Sequence, residues 1–319
     1  MDPQWLSSQQ FIWLLFLSVP LLLLFKNSGR RAQGKLPPGP WKLPIVGNLH
    51  QLGSKPHDSL HKLSVKHGPL MFLKLGSIPT VIISSADIAQ EVFKFHDAAF
   101  SNRPNLYASR KITYGLDMAW TSYGEYWRQL RKVSMKEVLS LKRVESFRAV
   151  REDEVASLIA YIRRLSASSP SCTVNLSEVM LTLVNNIVCR IMFGDKYRGR
   201  ISKYDDGGSR FYEILDETMK LLGGFCVADY FPSLEWIHAF TGLKKRVDKN
   251  FEELDSFFNE MIQEQIDEGS DPDHQNLVHV LLWLHKDPTY SATFSTMNNI
   301  KAFLSVSLSS TEDLVWCGY

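Results

Sequence analysis

Four prolines crowd the stretch Lys35–Gly53, KLPPGPWKLPIVGNLHQLG, and the first three of them resist helix. Each proline holds φ at about −65° and removes a backbone donor. Pro37, Pro38 and Pro40 favour an extended, semi-rigid path, and Pro44 follows before Gly47. The stretch sits behind an apolar N-terminus and a basic cluster. A stiff segment in that position suits a hinge that holds a globular body at a set angle to a membrane.

Phe11–Phe25 is apolar apart from Ser18 and Pro20. Alone it is short for a bilayer span, which needs about 20 residues; Trp5–Gln10, whose Ser and Gln suit the interface, bring it into range. A cleaved signal peptide carries positive charge before its apolar run and a small-residue cleavage site after it. Here only Asp2 precedes the run, while Lys26, Arg30, Arg31 and Lys35 follow it. The positive-inside rule then places the N-terminus in the lumen and the rest in the cytosol, behind an uncleaved signal anchor. Asn175-Leu176-Ser177 is a formal glycosylation sequon that stays unmodified in this orientation.

A net charge of +2 leaves no basic footprint for nucleic acid. Cys172, Cys189, Cys226 and Cys317 lie far apart and form no CxxC or Cys/His cluster, so neither a disulfide framework nor a structural zinc site is expected. After the hinge, Pro56–His67 reads as a short helix stopped by Gly68-Pro69. Leu70–Leu75 and Thr80–Ser84 read as a β-hairpin, and Ala86–Phe95 as a helix. Ala98–Trp120 reads as irregular. Helices are expected over 122–138, 142–166, 174–193, 209–222, 243–268 and 275–286. In the 243–268 segment Val247, Phe251, Leu254, Phe258, Met261 and Ile262 form one apolar face, which reads as core. The fold class is therefore mainly α with a small β-sheet near the N-terminus.

Ser122-Tyr123-Gly124-Glu125 has the form of a capping box for the first of the later helices. Trp127 and Arg131 follow at i and i+4 on one face. An indole N–H is only a donor, and a guanidinium forks onto carboxylates. Arg128, Lys132 and Lys136 form a basic stripe beside them.

The run YGEYWRQLRKV, placed after FSNRP (Phe100–Pro104) and behind the anchor, basic residues and proline hinge, resembles the WxxxR helix of the microsomal cytochrome P-450 family, above all its plant members. The resemblance implies the haem-thiolate monooxygenase fold. It implies that Trp127 and Arg131 donate to a haem propionate, and that the Arg128, Lys132, Lys136 face docks an acidic NADPH-dependent cytochrome P-450 reductase. It also implies that Asn105–Trp120, and Phe211–Leu222 with Phe225–Leu234, contact a small lipophilic substrate. With the apolar N-terminus it further implies membrane lipid as a partner and the endoplasmic reticulum membrane as the expected place, the globular part facing the cytosol.

Several of the family's parts do not occur in this sequence. There is no FxxGxRxCxG motif for the iron-ligating cysteine, no ExxR pair with a PERF-like segment, and no AGTDT after Asn298-Asn299-Ile300-Lys301. Ser310-Thr311-Glu312-Asp313 lacks the Ala-Gly that opens room beside iron. Cys317 has too little chain around it for a shaped ligand loop. The expected organisation is an anchor with its flank over 1–26, a hinge over 27–53, a partial cytochrome P-450 domain over 54–301 and a divergent tail over 302–319. The chain is expected to be a truncated, inactive form, with no identifiable catalytic residue and no metal ligand of its own. The alternatives are a non-catalytic membrane-anchored protein competing for reductase, or a gene fragment. The helix face of Val179, Leu183, Val184, Ile187, Ile191 and Met192 is expected to lack a partner.

Overall fold

The computed structural model describes residues 36–168, 173–195, 210–269, 276–290 and 292–316, with side chains of the last segment to Leu308. The expected anchor and Cys172 and Cys317 lie outside these residues. The chain divides into two compact units: one runs to Phe100 and includes Tyr230–Glu235, and the other holds Ser101–Asp229 and Trp236 onward.

In the first unit, α1 (Pro56–His67) precedes the antiparallel hairpin of β1 (Leu70–Leu75) and β2 (Ile78–Ile83), with Leu70 opposite Ile83 and Leu75 opposite Ile78. Met71 and Leu73 are fully buried, as alternation on one sheet face requires. α2 (Ala86–Phe95) starts at Ser85, whose hydroxyl accepts the Ile88 N–H at 3.2 Å.

The proline stretch lies along β1. The Phe72 N–H donates to the Pro38 carbonyl at 2.9 Å, Asn48 N–H to Lys74 O at 2.6 Å, and Lys74 N–H to Asn48 Oδ1 at 2.8 Å. This approach is close enough to exclude side chains. A Cβ on Gly39 would sit 2.0 Å from the Phe72 carbonyl oxygen, and one on Gly47 2.0 Å from that of Lys74. Gly47 also has φ +64°, where L-residues are strained. Gly47→Ala is expected to release this strap at a cost of about 1–3 kcal/mol, read as faster proteolysis between Leu36 and Leu52. Unchanged cleavage would count against the close approach.

The second unit is helical: α3 (Tyr107–Ile112), α4 (Glu125–Val133), α5 (Arg148–Ser168), α6 (Leu176–Phe193), α7 (Arg210–Leu222), α8 (Leu243–Glu268), α9 (Leu277–Lys286) and α10 (Met297–Trp316). Val247, Leu254, Phe258, Met261 and Ile262 of α8 are buried, the stripe read from periodicity. Ala98–Trp120 is not wholly irregular: α3 forms there because Asp229 Oδ1 accepts the Tyr107 N–H at 2.8 Å, a cap supplied from far along the chain. The helix expected over 142–166 is two, Leu141–Ser146 and α5, broken at Phe147.

α6 packs against α10, α5 and α9. Its apolar face is accordingly not bare: Val179 and Met192 are buried, and Leu183, Val184, Ile187 and Ile191 are partly covered. By length and composition α6 is apolar enough to cross a membrane, yet half of it is buried among these helices, as a core helix is. Its N-cap is Asn175, whose Oδ1 accepts the Glu178 N–H at 3.4 Å. A buried network joins α5, α6 and α7. Arg190 bonds Glu154 at 2.9 Å, Asn186 donates to Glu154 at 3.4 Å, and Tyr212 donates to Asn186 at 2.8 Å.

Candidate functional site

The helix carrying the candidate residues starts later than the capping-box pattern implies. Gly124, in extended conformation, precedes α4, and no side chain caps it. Glu125 does not reach back to Ser122. Its two oxygens accept from Arg128 and Gln129 at 2.7 Å each, forward along the helix. The i,i+3 and i,i+4 partners outcompete the box.

From this start Trp127 and Arg131 fall on one face, and the Arg131 guanidinium lies over the Trp127 ring at 5.3 Å. Arg131 is exposed, and none of the described carboxylates pairs with it. The indole N–H is already in use, donating to the Met118 carbonyl at 3.0 Å. The pair therefore offers a cation open to a carboxylate, and beside it a donor that must leave Met118 before it can join. Such a set fits a propionate-bearing cofactor.

Met118 is held by a turn built on Asp117, which sequence reasoning missed. Asp117 is fully buried, and its Oδ1 accepts the N–H groups of Ala119 and Trp120 at 2.6 and 2.8 Å. This is an Asx turn, and an aspartate inside an aromatic loop was its one legible signal. Oδ2 has no hydrogen-bond partner among the described residues. Burial pushes the Asp117 carboxyl above its usual range despite the hydrogen bonds it accepts. A carboxyl raised in the folded state contributes most stability below about pH 4 and loses it as pH rises through the folded value. Asp117→Asn is thus expected to gain stability on wild type between pH 4 and 7 in urea unfolding. A pH-independent difference would sink this reading.

The same loop is clamped twice more. Tyr126 Oη donates to Leu116 O at 2.8 Å and accepts from Asn299 of α10 at 3.1 Å. Asp255 of α8 accepts from Tyr114 Oη at 2.6 Å, from Lys301 of α10 at 2.7 Å and from Asn259 at 2.9 Å. Burial opposes the Asp255 charge, but the bonds from Lys301 and Tyr114 outweigh it and hold the carboxyl below its usual range.

The basic stripe does not run straight. Ser134–Val138 is a π-helical turn, seen in the 2.8 Å bond from Leu139 N–H to Ser134 O. That turn shifts Lys136 out of the i+8 register with Arg128 and Lys132. All three are exposed. Arg128 pairs with Glu125, and Lys136 with Glu137 at 3.0 Å and with Tyr290 Oη at 3.2 Å. The two described cysteines, Cys189 and Cys226, are buried, and desolvation raises both thiols, which disfavours the thiolate a metal needs.

Comparison with known proteins falls on this geometry. The sequence model of the cytochrome P450 family matches residues 37–309. The chain is 46% identical to cytochrome P450 71A9 of Glycine max over 298 residues, which are 92% of this chain and 58% of that one. It is 45% identical to strychnine-11-hydroxylase of Strychnos nux-vomica, covering 92% of this chain and 58% of the relative. Among solved structures, a zebra fish cytochrome P450 with progesterone superposes with a TM-score of 0.62 at 18% identity, over 81% of this chain and 56% of that one. The chain thus spans less than two thirds of the length of the relatives it matches.

Proposed function

The chain belongs to the cytochrome P450 family, and from that premise we propose that Trp127 and Arg131 hold the propionates of the family's haem. The observation that carries this reading is the pair's geometry: an exposed guanidinium that no carboxylate among the described residues pairs with, stacked on an indole one helical turn away. Haem bound to a cysteine thiolate supplies oxygen activation, because thiolate donation favours O–O cleavage. In the complete chemistry, electrons come from an NADPH-dependent reductase and one oxygen atom enters a small lipophilic substrate. The name of the strychnine-hydroxylating relative supports a secondary metabolite as that substrate. Loop Asn105–Trp120 and helix α7 would line its approach.

These 319 residues by themselves are proposed not to complete that reaction, since their sequence holds no FxxGxRxCxG motif and the two described cysteines are buried, high-pKa thiols. What they supply is the propionate grip, a membrane attachment at 1–26 and a basic face, Arg128, Lys132 and Lys136, for an acidic reductase. The proposed place is the endoplasmic reticulum membrane, with the body on the cytosolic side. Because that basic face is exposed, a second reading is a non-catalytic competitor for reductase.

The test is a haemin titration of the full chain, followed by a carbon monoxide difference spectrum of the reduced protein. Haemin should bind, and Trp127→Phe with Arg131→Leu should weaken it by about tenfold or more, as loss of a charged and a neutral hydrogen bond implies. The reduced spectrum should lack the thiolate-type Soret band. A thiolate-type band would overturn the inactivity proposal, and equal affinity in the double variant would overturn the propionate assignment.

A further inference from the structure

Trp127 has one N–H and therefore one good hydrogen bond to give. In this structure that bond goes to the Met118 carbonyl at 3.0 Å. The carbonyl is not on a free loop. Asp117 takes the N–H groups on its far side, Ala119 at 2.6 Å and Trp120 at 2.8 Å. Arg103 Nε donates to Ala119 O at 3.0 Å, and Tyr126 Oη to Leu116 O at 2.8 Å. Each carbonyl from Leu116 to Ala119 that receives one of these bonds is oriented by it, and the fully buried Asp117 forms the centre of the turn.

We propose that the Asp117 turn is a seat for the Trp127 indole, in which the Met118 carbonyl and a haem propionate are rival acceptors for one N–H. Cofactor occupancy and the position of Leu116–Trp120 are then linked: the cofactor must draw the indole off the loop, and a firmer loop weakens the grip on the cofactor. Asp117 is a positioning residue in this scheme; it acts through Met118 and touches no cofactor. The proposal rests on the propionate reading of Trp127.

Asp117→Ala removes the acceptor for Ala119 and Trp120 and loosens the seat. Asp117→Asn keeps an oxygen there and restores it. In the cofactor-free full chain labelled with [15N]tryptophan, the Trp127 indole N–H, assigned by its loss in Trp127→Phe, should exchange about tenfold faster in Asp117→Ala and no faster than wild type in Asp117→Asn. Haemin affinity should rise in Asp117→Ala by about three- to tenfold, the range of one net hydrogen bond. The same substitution in the Trp127→Phe background should change haemin affinity by nothing. Unaltered indole exchange in Asp117→Ala, or an equal affinity change in both backgrounds, would overturn the rivalry. If haemin binds and leaves the indole resonance unmoved, the rivalry fails and the cofactor reading stands. If haemin does not bind the wild-type chain, both fail together.

Discussion

Arg190→Met is expected to lower the unfolding free energy by about 3–5 kcal/mol, the cost of breaking a buried ion pair by removing one member. The carboxylate that loses its ion-pair partner is Glu154. Its side chain is 1% exposed and receives the Arg190 guanidinium at 2.9 Å. Asn186 stays in reach at 3.4 Å, too long to replace a charged donor. The other partners of Arg190, Asp153 and Asp195, are 63% and 73% exposed and simply rehydrate. Because domains are stable by only about 5–15 kcal/mol, this single change leaves the three-helix joint of α5, α6 and α7 close to unfolding. Glu154→Leu added to Arg190→Met should recover most of the loss. The measurement is a double-mutant cycle in urea on the full chain in detergent. A single-variant loss under about 1 kcal/mol, the scale of a surface pair, would show that the charge is not buried in solution.

Phe258→Ala should cost about 3–5 kcal/mol, because a large side chain leaves a cavity its neighbours cannot fill. Phe258 is wholly buried on α8, with the Phe257 ring 6.1 Å away. Phe251, on the same stripe, is a different case. It is partly exposed and meets Lys111 at 4.8 Å and Tyr114 at 5.1 Å on its ring. Phe251→Ala should therefore cost clearly less, as water can enter the space. Circular dichroism melts of the two variants decide the order. A larger loss at Phe251 would mean that α8 is rotated about its axis relative to this description.

That stripe also marks how far residues alone can be read. α8 has the expected ends, 243 and 268, because its apolar period is long and unbroken. α1 and the hairpin were legible for similar reasons, each bounded by Gly or Pro. α3 was not, since its first N–H is capped by Asp229, and no local pattern carries a partner so distant in sequence. The Ser122 box misled because Glu125 has two nearer partners. The Trp127–Arg131 spacing was visible, whereas Met118, whose contribution is a backbone carbonyl, has no side-chain signature at all. The π-helical turn that bends the basic stripe at Ser134 has none either.

The strap along β1 has one more consequence. A two-stranded sheet has two open edges, and open edges recruit strands from other molecules. Here the β1 side is occupied by a run in which Pro37, Pro38, Pro40 and Pro44 have no N–H to pass the ladder outward. On the β2 side Pro79, opposite Lys74, interrupts the row of donors in the same way. Each flank of the hairpin therefore offers an incoming strand an incomplete row of donors, which weakens edge-to-edge addition there.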